Sequence, residues 1–223
     1  MFQDGEPAAD TLWRNPDLKP QVSRWMEALW ETLPQPGWRV NTGVFAIQIE
    51  NAPVLVDTPT LNGLDCMRAA CNQYRNAADS LYVVGVESGL RISNPGGVLA
   101  YASLSLQGAR QGSEELTASP DYVLKAGIAS PILGRLLNVS ADASYVGGTP
   151  GWIDGPGLRS AGTSPYLLLN LGLHRSFSRA RISLRASNLL DKNIFTIASR
   201  ELTPLARVPL DGRNFSLQVS LDF

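Results

Sequence analysis

Apolar and polar residues alternate with a period of two along much of this chain. The last stretch shows it most clearly. Phe215, Leu217, Val219, Leu221 and Phe223 are apolar, and Ser216, Gln218, Ser220 and Asp222 between them are polar. Such a segment reads as a strand with one greasy and one wet face. Eight earlier segments are read as strands. They are 21–32, 38–49, 81–93, 98–107, 122–128, 137–145, 167–174 and 181–187. In the third, Tyr82, Val84, Val86, Leu90 and Ile92 oppose Gly85, Glu87, Gly89 and Arg91. The first is blurred by Trp25, Met26, Leu29 and Trp30, and on pattern alone it also passes for a helix.

The connections alternate in length. Segments 33–37, 94–96, 130–134 and 176–179 are short, with Pro, Gly or Ser to turn the chain. Segments 50–79, 108–120, 147–164 and 191–210 are long. In an antiparallel meander this puts every long loop at one end, the layout of outer-membrane barrels. Aromatics agree: Tyr82, Tyr122, Tyr145, Tyr166 and Phe215 fall near the long-loop end, and Trp30, Trp38, Phe177 and Phe223 near the other. Two aromatic girdles suit two membrane interfaces. The fold class expected is therefore all-β, an antiparallel transmembrane β-barrel segment of about nine meandering strands. Residues 1–20 are read as a polar loop leading in, and residues 21–223 as barrel.

Composition narrows the function. The chain has 223 residues and a net charge of −1, so nothing attracts nucleic acid. No apolar run approaches the length of a membrane-spanning helix. Charged residues are 17%, few for a water-exposed surface. The start, Met1-Phe2-Gln3-Asp4-Gly5-Glu6, lacks the basic and apolar regions of a signal peptide. His174 is the single histidine, so a two-histidine metal site fails by count. A hydrolase would set His174 beside a serine such as Ser176, but no acid partner is indicated. No enzyme, metal site or cofactor is expected.

Several motifs, taken in order, give the chain a family resemblance. Asn15-Pro16-Asp17-Leu18-Lys19-Pro20, Gly85-Val86-Glu87, Ser119-Pro120, Pro165-Tyr166 with Asn170, Asn188-Leu189-Leu190-Asp191-Lys192 and Asp211-Gly212-Arg213 with Phe223 stand in that order. In this the chain resembles the TonB-dependent outer-membrane receptors, across residues 14–223. The resemblance implies the C-terminal part of a 22-stranded barrel in the outer membrane of a Gram-negative bacterium. It implies a parent that imports a scarce nutrient, siderophore-iron or a similar chelate, with lipid, the barrel assembly machinery, a plug domain and TonB as partners. No plug or TonB-contacting segment is read in these residues. The resemblance also implies that Phe215, Leu217, Val219, Leu221 and Phe223 form an assembly signal. Glu87, Arg91, Lys125, Asp142, Asn170, His174, Arg181 and Arg185 would line the lumen. Cys66 and Cys71 lie in the first long loop. In an exported protein they read as a disulfide worth about 2 kcal/mol, and two free thiols stay open.

The other readings are a complete small barrel of structural or porin type and a soluble β carrier. On the barrel reading Leu104, Val139, Leu169, Leu184 and Val219 face lipid, and Ser105, Asn138, Asn170, Arg185 and Gln218 face inward. Arginine is expected to be tolerated at Asn170 and not at Leu169. Nine antiparallel strands do not close a single-chain bacterial barrel, whose strand number is even. Alone they are expected to form an open sheet or to aggregate, and not to transport.

Overall fold

The computed structural model describes residues 12–58, 60–61, 64–65, 71–112, 114–115, 120–133, 136–149, 153–154, 158–159, 162–197 and 207–221. Every regular element among them is a strand. Nine are long: β1 (Val22–Thr32), β2 (Trp38–Glu50), β3 (Leu81–Ser93), β4 (Leu99–Gln111), β5 (Tyr122–Ile132), β6 (Leu137–Val146), β7 (Tyr166–Ser176), β8 (Ala180–Ser187) and β9 (Asn214–Leu221). Each is hydrogen-bonded to its neighbour in chain order, and among the described residues the order ends at β1 and at β9. The ladders from β4 to β9 are antiparallel throughout. No helix of the described residues is long and apolar enough to cross a membrane.

The chain divides into two compact units. One comprises residues 1–26, 46–83 and 109–115. Its centre is a hairpin of Pro53–Thr58 and Cys71–Asn76, with Leu12–Trp13 added in parallel beside Asn72 and Gln73. The segment Asn15–Pro20 is stitched to that hairpin. Asn15 Oδ1 accepts from the Asp17 amide at 3.0 Å, closing an Asx turn, and Asn15 Nδ2 donates to the Tyr74 carbonyl at 2.8 Å. Asn76 receives the Lys19 amide and donates to the Lys19 and Asn51 carbonyls. Segments 1–20 and 50–79, read as loops from the sequence, thus carry five short strands among their described residues, these three and the pair Thr60–Leu61 and Leu64–Asp65.

The other unit comprises residues 27–45, 84–108 and 116–223. Its ladders keep two chemistries apart. One row across six strands reads Phe215, Ala186, Leu171, Ala141, Ile128 and Ala100. The next reads Leu169, Ala143, Ala126 and Ala102. On the opposite face a row reads Gln218, Ser183, His174, Asn138 and Pro131, and another Asn170, Asp142, Gly127 and Tyr101. Because side chains alternate strictly, a one-residue slip anywhere would mix the faces. The large side chains of the apolar face stand open: Leu173, Leu184 and Leu217 are 41%, 43% and 68% exposed. Ile194 is the one buried apolar residue among those described. This is a sheet whose greasy side meets its surroundings, the reverse of a water-soluble core.

Two boundaries differ from the sequence expectation, at β4 and β5, while the first segment is a strand as read, Val22–Thr32. Its alternation is blurred because apolar residues stand on both faces: Leu29 lies beside Gly43 on the polar side, and neighbouring Trp30, 60% exposed, points the other way. β4 runs on to Gln111, where Glu114–Glu115 folds back against Arg110 and Gln111. β5 continues through Ser130 and Pro131, where the sequence predicts a turn. Its partner β4 ends opposite Ala129, so Pro131 has a ladder on one side only. There a missing N–H is tolerated.

Candidate functional site: the polar face and its latch

Period-two alternation in β3 to β8 sets Glu87, Arg91, Lys125, Asp142, Asn170, His174, Arg181 and Arg185 on one face. The ladders pair Asp142 with Asn170, Lys125 with Ser144 and Ser103, His174 with Ser183, and Arg181 with Ser176. Ser105 Oγ donates to Glu87 Oε1 at 3.3 Å, which places Glu87 on the same side. The His174 ring bridges two hydroxyls, Ser183 at 2.9 Å on Nδ1 and Ser176 at 3.0 Å on Nε2. A catalytic triad needs a carboxylate on one ring nitrogen, and here a serine holds each. Among the described residues no three His, Cys, Asp or Glu side chains come together as a metal site.

Two glycines bring side chains flat against this face. A Cβ on Gly127 would stand 2.5 Å from Tyr101 Cε1, and one on Gly89 would stand 2.5 Å from Asn41 Oδ1. The phenol ring and the carboxamide therefore lie across the backbone and do not rise from it. Between them opens a hollow of about 520 Å³ lined by Asn41, Glu87, Arg91, Tyr101, Ser103, Ser105 and Lys125.

The second feature is a latch at the long-loop end of β7 to β9. Asn188 is 3% exposed and adopts a left-handed backbone with φ +50°. Asparagine tolerates that conformation better than most residues. Its amide donates to Asn170 Oδ1 at 3.0 Å. Its Nδ2 donates to the carbonyls of Lys192 at 2.9 Å and Asp211 at 3.3 Å, and its Oδ1 accepts from the Lys192 amide at 3.0 Å. Asn170 Nδ2 in turn donates to Asp142 Oδ2 at 2.7 Å. Asp191, also left-handed with φ +52°, accepts the Arg213 amide at 3.0 Å and stands 3.6 Å from the Arg213 guanidinium. Asn188-Leu189-Leu190-Asp191-Lys192 thus ties the departure of the last long loop to its return. The motif was legible; the buried role of Asn188 was not, because two of its partners, Asn170 and Asp211, are distant in sequence. Asn170 also proves to be more than a wall residue. Its two hydrogen bonds weigh against the expectation that it accepts arginine.

The remaining sites are quickly placed. Phe215, Leu217, Val219 and Leu221 project from β9, at the end of the strand order, 68%, 68%, 55% and 57% exposed. Phe223 and Cys66 lie outside the described residues, as does the side chain of Cys71.

Comparisons with known proteins bear on the family and the fold. The family model described as TonB dependent receptor-like, beta-barrel matches residues 2–189. The fold is similar to the pyoverdine outer membrane receptor FpvA of Pseudomonas aeruginosa PAO1 (TM-score 0.71, 19% identity, 92% of this chain and 30% of that one). It is similar to the FrpB iron transporter of Neisseria meningitidis (0.73, 17%, 95% and 33%) and to the copper transporter OprC (0.68, 14%, 92% and 32%). The chain spans about a third of the length of each. No curated protein sequence matches it. Members of the matched family are receptors and transporters of the Gram-negative outer membrane. A match over most of the chain, a meander with alternating short and long connections and the separation of its two faces agree: this chain belongs to the TonB-dependent receptor family, within its β-barrel domain.

Proposed function

We propose that this chain is a stretch of wall in an outer-membrane importer of a scarce nutrient, with a metal chelate as cargo and TonB as the source of energy. The carrying observation is the family match over residues 2–189. The clean division into an apolar face for lipid and a polar face for the lumen supports it. The structural relatives are described as receptors or transporters for pyoverdine, iron and copper, so the cargo class is a chelated metal and its identity lies with the loops. A plug and the TonB contact belong to a longer parent chain. On this reading the protein is a transporter and not an enzyme. Among the described residues the strand order is open at β1 and β9, which weighs against a small self-sufficient barrel.

The test is uptake by the parent receptor in cells. Deleting the gene, or collapsing TonB function, is expected to abolish accumulation of at least one of radiolabelled ferric siderophores or copper. Unchanged uptake across that panel contradicts the proposal. A second expectation concerns assembly. Removing Phe223 from the full-length receptor is expected to leave it unassembled in the periplasm, as judged by heat-modifiable migration. Normal assembly of that variant removes the signal from this strand.

A further inference from the structure

The hollow on the polar face carries more positive charge than its surroundings neutralise. Arg91 and Lys125 both line it, and Glu87 is its one carboxylate. Among the described residues neither cation has an ion-pair partner. Asp142 is engaged elsewhere, with Asn170. A third cation stands close by. Ser93 N donates to Gly37 O at 2.7 Å and Thr42 Oγ1 lies 3.1 Å from Ser88 Oγ, which sets Arg39 directly across from Arg91 in the ladder. Both line an adjoining hollow of about 390 Å³. Like charges placed opposite one another on neighbouring strands repel. Arg39 is relieved by Glu31 at 3.7 Å, and Arg91 has no such relief.

We propose that this hollow is a carboxylate site, with Arg91 and Lys125 as its cations. The guanidinium fork matches a carboxylate in two parallel hydrogen bonds, and the ammonium adds a point charge. Tyr101, held low by Gly127, and Asn41, held low by Gly89, leave the floor open and add polar atoms at its edge. Ser103 supplies a further hydroxyl. Arg91 and Lys125 against Glu87 leave one positive charge, which suits a single carboxylate better than a doubly charged phosphate. The carboxylate has two possible sources, a free acid entering from water or an acidic side chain of the parent receptor, and both present the same group. The inference rests on the polar face being open to water, and lipid-exposure measurements test that separately.

The experiment uses the full-length receptor in detergent, with benzoate as probe, a monocarboxylate whose ring can lie against Tyr101. Binding is followed by calorimetry, and thermal unfolding is followed alongside. If the site takes a free acid, the wild type binds benzoate. Arg91→Gln/Lys125→Gln then weakens binding by about tenfold or more, and Arg91→Lys/Lys125→Arg retains most of it. If an acidic side chain of the receptor already fills the site, the wild type does not bind benzoate. The glutamine pair then lowers the unfolding midpoint, and the charge-keeping pair restores it. Either pattern supports the proposal and names the source. Benzoate binding equal in all three proteins overturns it. So does the absence of binding together with an unfolding midpoint that follows neither pair's charge.

Discussion

Leu169→Arg is expected to keep the receptor from assembling in the outer membrane, while Gln218→Arg leaves assembly near normal. Leu169 sits in the row with Ala143, Ala126 and Ala102 on the apolar face, three residues in from the start of β7. A cation there is expected to enter hydrocarbon. For arginine on the lipid face of a barrel the cost is about 2–4 kcal/mol at mid-depth and less towards the rims, a large part of what holds a folded chain together. Gln218 belongs to the polar row with Ser183 and His174, and none of the hydrogen bonds seen there uses its side chain. An added cation on that side meets water. The readout is heat-modifiable migration of membrane fractions together with surface labelling. Equal tolerance of both substitutions, or failure of Gln218→Arg alone, would count against the assignment of the faces.

The second large effect is expected at Asn188. Asn188→Leu removes two donor bonds and one acceptor bond of the side chain and leaves the carbonyls of Lys192 and Asp211 and the amide of Lys192 without partners. The position is almost wholly enclosed, so water does not replace them. Each buried group left unsatisfied costs about 1–3 kcal/mol. Holding leucine at φ +50° adds roughly another 1–2 kcal/mol. The loop from 188 to 213 is expected to release from its latch. Limited proteolysis of the folded receptor then cuts within that loop many times faster than in the wild type, and the β7–β8 ladder keeps its protection in hydrogen exchange. Asp191→Asn keeps an acceptor for the Arg213 amide and loses only an exposed ion pair, worth little. It is expected to resemble the wild type. Identical cleavage rates for Asn188→Leu and wild type would remove the latch from the account.

Much of the wall was legible because a period of two is a local signal. β3 runs from Leu81 to Ser93 in the structure as in the pattern, and the polar face emerged with Glu87, Lys125, Asp142 and Arg185 together. The pattern failed where the physics was not local. In β1, Leu29 on one face and Trp30 on the other erase the alternation, since neither face of that strand is purely polar. Pro131 reads as a turn until one knows that β4 stops two residues short of it. In the hairpin of Pro53–Thr58 and Cys71–Asn76 the first arm runs Val54-Leu55-Val56 without alternation and the second is mostly polar, so neither shows a period of two. Asn188 is the sharpest case. The motif marks its place, but its worth comes from Asn170 and Asp211, brought to it only once β7, β8 and the entry to β9 are in register.

One face of this sheet is expected to meet lipid and the other water. Single spin labels at positions 182 to 187 of β8, in the full-length receptor reconstituted into liposomes, test it directly. Collision rates with oxygen, which concentrates in the bilayer, are expected to peak at 182, 184 and 186. Rates with a water-soluble nickel chelate are expected to peak at 183, 185 and 187. Profiles without a period of two, or with the two reagents exchanged, would contradict the account.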